Sequence, residues 1–270
     1  MERLLATQRL HGHSTRTRGS SVAPLETTVA RGYREPLEKP RRFYKAVEVV
    51  PEPGGFAVRL DGRPVRTPKG GHLALPTRAL AELVAAEWAA QGEVLEMAGM
   101  HATRLANTAI EAIPAARAET ADTVASYAAS DLLCYRAEAP QALVQRQQQH
   151  WDPVLARIEA EAGLSFIRAA GIVHQAQPEP TLQQVRDIAL GLDDFALAGL
   201  AFGAGLFGST ILSLALQRGW LTGQEAFELS RLDEIWQETQ WGVDEEAAER
   251  IGRLGGEALM LERWFQSLAA

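Results

Sequence analysis

The densest cluster of groups able to do chemistry is SRLDEIWQETQWGVDEEAAER, which begins at Ser230. Asp233, Glu234 and Glu238 stand close together there, interleaved with Trp236 and Trp241. A carboxylate pair held in a cleft can carry acid–base chemistry or glycoside hydrolysis. The same acids on an open surface would instead meet a basic or polar partner. Adjacent acids recur at Asp193–Asp194, so pairing alone does not choose between these readings.

Other chemistries find little support. The six histidines, His11, His13, His72, His101, His150 and His174, form no HExxH and no pair with metal-ligand spacing. His150–Trp151–Asp152 is only an isolated local pair. There is no GxSxG elbow. TPKGG lacks the phosphate-loop pattern, and FGAGLFGS has the wrong spacing for a dinucleotide fingerprint. The single cysteine, Cys134, excludes an intrachain disulfide and reads as a small buried apolar residue. No metal and no cofactor are expected.

Charge narrows the partners. Residues 1–45 carry ten Lys or Arg against four Asp or Glu, whereas the remaining 225 carry 17 against 30. The body is therefore acidic, with a net charge of −13. That suits a basic or polar protein surface, not a phosphate backbone. Arg41, Arg42 and Lys45 surround Phe43 and Tyr44, a basic–aromatic combination that can touch RNA. Strand alternation through Phe43, Val47 and Val49 instead points Phe43 into the core.

Several elements must position these residues. RRFYKAVEVV, FAVRL, RPVRTP and HLAL read as short strands, with a two-residue hairpin at Asp61–Gly62. From Pro76, tolerated at a first helical position, PTRALAELVAAEWAAQ reads as a helix with Glu87 at the edge of its apolar face. Helices follow at Thr103–Ile113 and Ala121–Ser130. EMAGMHATRL is read as a loose connection before Thr103. LLCYR is read as a short strand returning to the first sheet. The chain is helical from Pro140 onward. Phe195–Gln217 has no charge for 23 residues and contains a GxxxG pair at Gly199 and Gly203, which raises a membrane span. Its glycines favour two short buried helices, near Leu192–Phe202 and Ser209–Gln217, with Ser209 capping the second. The resulting expectation is an α+β protein. A flexible extension (1–37) precedes a small antiparallel β-containing N-terminal domain (38–136) and a mainly α-helical C-terminal domain (137–270). The extension is rich in Arg, Ser and Thr but lacks the apolar centre of a secretory signal.

The acidic stretch itself reads as a helix. Thr222 and Glu225 in TGQE have capping-box spacing. At 100° per residue, Leu229, Leu232, Ile235 and Trp236 share a face that should enter the core. Glu234 lies about 160° from the centre of that face. Arg231 is spaced to reach Glu234 but not Glu238, and Asp233 with Gln237 forms a second polar edge. Gly242 argues against a helix continuing through Trp241, and Asp244 is placed to cap the next helix. The outward carboxylates and Trp241 form a rim that could dock a partner.

The order and spacing of RRFYK, VRLDGRPVRTP, LAELVAAEWAAQ, TRLANTAIEAI, SDLLCYRAEAP, QQQHWDP, STILSLAL and LDEIWQETQWGVDEEAAER resemble the ATP12 family, assembly chaperones for the F1 part of ATP synthase. The resemblance runs from about Arg41 to Phe265. It implies a non-enzymatic, monomeric chaperone that transiently binds the free F1 alpha subunit and releases it when alpha pairs with beta. It implies no nucleic-acid partner and no stable membrane insertion. It assigns partner binding to Glu234, with Asp233, Gln237, Glu238 and Trp241 beside it, and leaves Arg42 and Tyr44 as a possible groove. The compartment it suggests is a bacterial cytoplasm, with the mitochondrial matrix as the alternative. The competing functional class is a small-molecule hydrolase using a carboxylate pair in an interdomain cleft.

Overall fold

The structure is a computed structural model that describes residues 39–171, 174–242 and 245–270. The expected extension (1–37) and the capping role of Asp244 lie outside the described residues. Pro40–Ala270 is one compact unit, with an antiparallel sheet followed by helices.

The sheet forms where β-branched residues alternate between glycine turns. Strand β1 (Val47–Glu52) pairs antiparallel with β2 (Gly55–Leu60), from Val47 opposite Leu60 to Glu52 opposite Gly55. Asp61 and Gly62 both have positive φ and turn β2 directly into β3 (Arg63–Pro64), the expected two-residue hairpin. β4 (Ala74–Leu75) pairs with β2 as well. Phe43 corrects the sequence reading. It is 68% exposed, while Tyr44 is buried. The ladder with β2 starts only at Val47, so strand alternation does not extend back to Phe43.

Helix α1 (Arg78–Ala89) starts two residues later than a first helical position at Pro76 would give. Thr77 is the cap, and its hydroxyl oxygen accepts the Leu80 N–H. The same hydroxyl donates to the Ser267 carbonyl, which joins the start of α1 to the end of α10 (Glu245–Leu268). Helices α2 (His101–Glu111) and α3 (Ile113–Ala129) follow. The connection before α2 is not loose. Met97–Gly99 forms a short 3-10 turn and Met100 is fully buried. Glu87 of α1 caps α2 by accepting the N–H groups of Ala102 and Thr103 and the Thr103 hydroxyl.

LLCYR also departs from expectation. Leu132–Cys134 is a 3-10 turn, and β5 (Tyr135–Arg136) pairs in parallel with β6 (Ala169–Ala170), apart from the first sheet. Cys134 is buried, and burial pushes its thiol up to about 12. Between β5 and β6 runs α4 (Gln141–Ala162), and α5 (Glu179–Leu190) comes after them.

The uncharged run forms α6 (Asp194–Phe207) and α7 (Thr210–Gln217). Ser209 caps α7 through its hydroxyl, as the sequence suggested. No helix among the described residues is long and apolar enough to cross a membrane. Gly203 shows why the run is glycine-rich. A Cβ there would lie 2.3 Å from Ser213 Oγ of α7 and 2.9 Å from Leu261 of α10. Trp264 of α10 is fully buried, and its indole N–H donates to the Phe195 carbonyl of α6.

Asp131 was not singled out by sequence. Its carboxylate is fully buried and accepts the Ser209 hydroxyl and the N–H groups of Leu133 and Ile211. Burial pushes its carboxyl up to about 6 against the opposing pull of these donors.

Candidate functional site

The acidic stretch is two helices, not one. Helix α8 (Gly223–Ser230) begins with the expected box: Thr222 Oγ1 accepts the Glu225 N–H, and the Glu225 carboxylate accepts the Thr222 N–H. The Thr222 N–H and hydroxyl, both donating to it, hold the Glu225 carboxyl below its usual range. The chain breaks at Arg231 (φ −114°, ψ 18°) and resumes as α9 (Leu232–Trp241). Gly242, with φ +90°, ends α9 directly after Trp241. The helix therefore does continue through Trp241, contrary to the sequence reading, because Gly242 stops it one residue later.

The break changes what Arg231 can reach. Its Nε donates to Glu234 Oε2 at 2.7 Å, and an outer nitrogen donates to Glu238 Oε1 at 2.6 Å. Sequence spacing allowed only the first contact, because it treated Arg231 as one position on a continuous helix. As a flanking residue, Arg231 reaches both. Its side chain is only 12% exposed, and its guanidinium lies over the Phe227 ring. The pair Glu234 and Glu238 is thus fixed in place before any partner arrives.

The apolar face is thinner than its periodicity implied. Leu232 is buried, but Leu229, Ile235 and Trp236 are only half-buried. Trp236 and Leu229 pack against the edge of the core. On the other side the Glu234 side chain is 64% exposed and Trp241 is 81% exposed. Gln237 is also exposed, and Glu238 is half-buried. Glu234, Gln237, Glu238 and Trp241 therefore share one short helix with polar capacity facing outward. The acids converge on one arginine at an open surface and do not flank an enclosed cleft.

Asp233 behaves differently. Both its oxygens accept from Gln147 Nε2, at 2.8 and 3.0 Å. Gln147 is fully buried on α4, and its own oxygen accepts the Ala137 N–H just after β5. One turn further along α4, Trp151 donates its indole N–H to the Leu229 carbonyl of α8. The sequence held a signal for Gln147. It is the one polar residue on the buried face Leu143, Gln147, Trp151, Leu155, Ile158, at helical spacing. Asp152 of the flagged His150–Trp151–Asp152 group pairs with Arg136, which lies over the Trp151 ring.

Arg42 and Tyr44 lie elsewhere. The Tyr44 hydroxyl donates to the Trp88 carbonyl at 2.7 Å. Arg42 donates to the carbonyls of Tyr44, Ala89 and Gln91, placing its charge at the C-terminus of α1. Its guanidinium lies 4.7 Å from the centre of the Tyr44 ring. Among the described residues no group of three or more His, Cys, Asp or Glu is arranged to hold a metal ion.

Known proteins share this fold. The family model described as ATP12 chaperone protein matches residues 41–159. The chain is 39% identical to Atp12 of Paracoccus denitrificans, whose crystal structure superposes with a TM-score of 0.78 over 84% of this chain and 97% of that one. The chain belongs to the ATP12 chaperone family. The Atu1473 protein of Agrobacterium tumefaciens gives a TM-score of 0.80 at 42% identity, over 85% of this chain and 86% of its own. Mitochondrial atp12 of Schizosaccharomyces pombe is 26% identical over 228 residues, 79% of this chain and 78% of that protein. The family-model match ends within α4, whereas the structural likeness to the bacterial members covers most of the chain.

Proposed function

We propose that this ATP12-family protein is an assembly chaperone for the F1 part of ATP synthase. In this reading it binds the free alpha subunit transiently, covers a surface that beta will later bury, and releases it when beta pairs with alpha. It performs no chemistry on its client. The observation that carries the reading is family membership along most of the chain. The docking element is the outward side of α9, with Glu234 at its centre and Gln237, Glu238 and Trp241 beside it. An exposed indole next to fixed carboxylates suits a client surface that mixes apolar and basic groups. Partial neutralisation by Arg231 keeps the contact releasable, since exposed ion pairs are individually weak.

The test is suppression of aggregation of purified alpha subunit. Glu234→Lys is expected to weaken capture while the isolated protein keeps its helical spectrum and melting transition. Unchanged capture would remove Glu234 from the site. Purified beta subunit is expected to displace labelled chaperone from alpha, and a stable ternary complex would overturn release by competition.

A further inference from the structure

Asp233 lies within the acidic cluster, yet its hydrogen bonds run inward. We propose that Gln147 and Asp233 form a positioning bracket that sets the docking face of α9, and that Asp233 is not itself a client contact. The inference rests on the reading of α9 as the docking element.

Three observations carry it. Gln147 is fully buried, and its amide is used at both ends: the oxygen accepts the Ala137 N–H at 2.9 Å, and the nitrogen donates to both Asp233 oxygens. A buried amide with both ends occupied fixes geometry, because any slip leaves a polar group unpaired. Trp151 then holds the Leu229 carbonyl from the same face of α4. The two ties straddle the break at Arg231, one on each helix. Rotation of α9 against α8 therefore strains at least one of them. Finally, α9 is lightly packed, with Leu232 its only buried residue and Trp236 meeting only the edge of the core. The bracket replaces the apolar packing that such a short helix lacks.

Asp233 also borders an open cleft of about 460 Å³ with Tyr135, Arg136, Ala137, Glu138, Ala139 and Gly171. Movement of the chain after β5 is thereby coupled to α9 through one side chain. Glu234 and Glu238 follow, because Arg231 ties both to the same junction.

The hydrogen-bond polarity makes the idea reversible. Gln147→Glu places a carboxylate against the Asp233 carboxylate while keeping an acceptor for the Ala137 N–H. Asp233→Asn added to that variant supplies an amide donor and restores the link with its direction inverted. The full chain is assayed for amide hydrogen exchange across α9 and for capture of purified alpha subunit. Gln147→Glu is expected to raise exchange in α9 and weaken capture by about tenfold, the scale of one lost charge-assisted hydrogen bond. The double variant is expected to recover both. Unchanged exchange in Gln147→Glu, or no recovery in the double variant, overturns the bracket. Faster exchange with full capture keeps the bracket and overturns docking on α9.

A milder pair tests the same point if Gln147→Glu does not fold. Asp233→Asn keeps one acceptor for Gln147 and is expected to capture client within about twofold of the parent, whereas Asp233→Ala loses about tenfold. A direct charge contact predicts equal losses in both, and that outcome refutes the proposal. Salt dependence separates the roles further. Glu234→Gln should flatten the dependence of capture on ionic strength, while Asp233→Ala should leave its slope unchanged.

Discussion

Arg42 with Tyr44, and Glu234 with Trp241, are built from similar materials and end in opposite conditions. Each combines a charged group with an aromatic ring, near a helix C-terminus in the first region and across a short helix in the second. Around Arg42 the polar atoms terminate on backbone carbonyls, those of Trp88 and Ala89 in α1 and that of Tyr44, and the Tyr44 ring is buried. On α9 one oxygen of Glu234 is held by Arg231 and the side chain still faces solvent, as does the indole of Trp241. Residue type does not separate the two regions. Unused hydrogen-bonding and apolar capacity does.

Four measurements can break or sharpen that contrast. The largest effect is expected from Tyr44→Ala, which empties a buried aromatic site and removes the hydroxyl that donates to the Trp88 carbonyl. It should cost about 3–5 kcal/mol by denaturant titration. The fraction that remains folded should still capture alpha subunit, and lost capture in that fraction would return Tyr44 to the site.

Asp131 gives a carboxylate counterpart. Its folded-state value near 6 lies above the ordinary 3.8. The native protein therefore holds this proton more tightly than the unfolded chain. The resulting stabilisation is complete below about pH 3.8 and is lost as pH rises through about 6. It amounts to about 3 kcal/mol at most. Asp131→Asn should remove this component, so the difference between parent and variant unfolding midpoints should shift between pH 4 and 7. An unchanged profile would mean that the hydrogen bonds at α7 outweigh burial.

Arg42→Ala should cost about 1.5–3 kcal/mol, because charge-assisted bonds to the end of α1 disappear. Trp241→Ala should have the smallest effect on stability, within about 0.5 kcal/mol, because the indole is exposed. Its effect should fall on client capture instead. A destabilised Trp241→Ala protein with normal capture would erase the distinction between the two regions.

How much of this was legible follows from the range of each interaction. The Thr222–Glu225 box, the Ser209 cap and the Asp61–Gly62 hairpin are made between near neighbours, so spacing alone revealed them. The exposure of Glu234 followed from helical periodicity in the same way. The ties that orient α9 run from α4 to residues 78 and 86 positions away, and no local pattern encodes such a pairing. Asp131 escaped notice because an acid beside an apolar run is usually solvated. Only the fold brings the start of α7 to it. The reading of Phe43 failed at an element boundary, since alternation informs only where a strand exists. Arg231 was misjudged because a break between helices brings Glu238 within reach that an uninterrupted helix would deny.

The hydroxyl of Thr77 has a consequence for how the molecule comes into being. Its partner carbonyl, at Ser267, is 190 residues downstream. A nascent chain can pair β1 with β2 and wind α1 soon after they leave the ribosome, but it cannot seat α1 against α10 until the 190 residues that separate the two partners have been made. The seam between α1 and α10 is therefore closed late, after every element between them has been made.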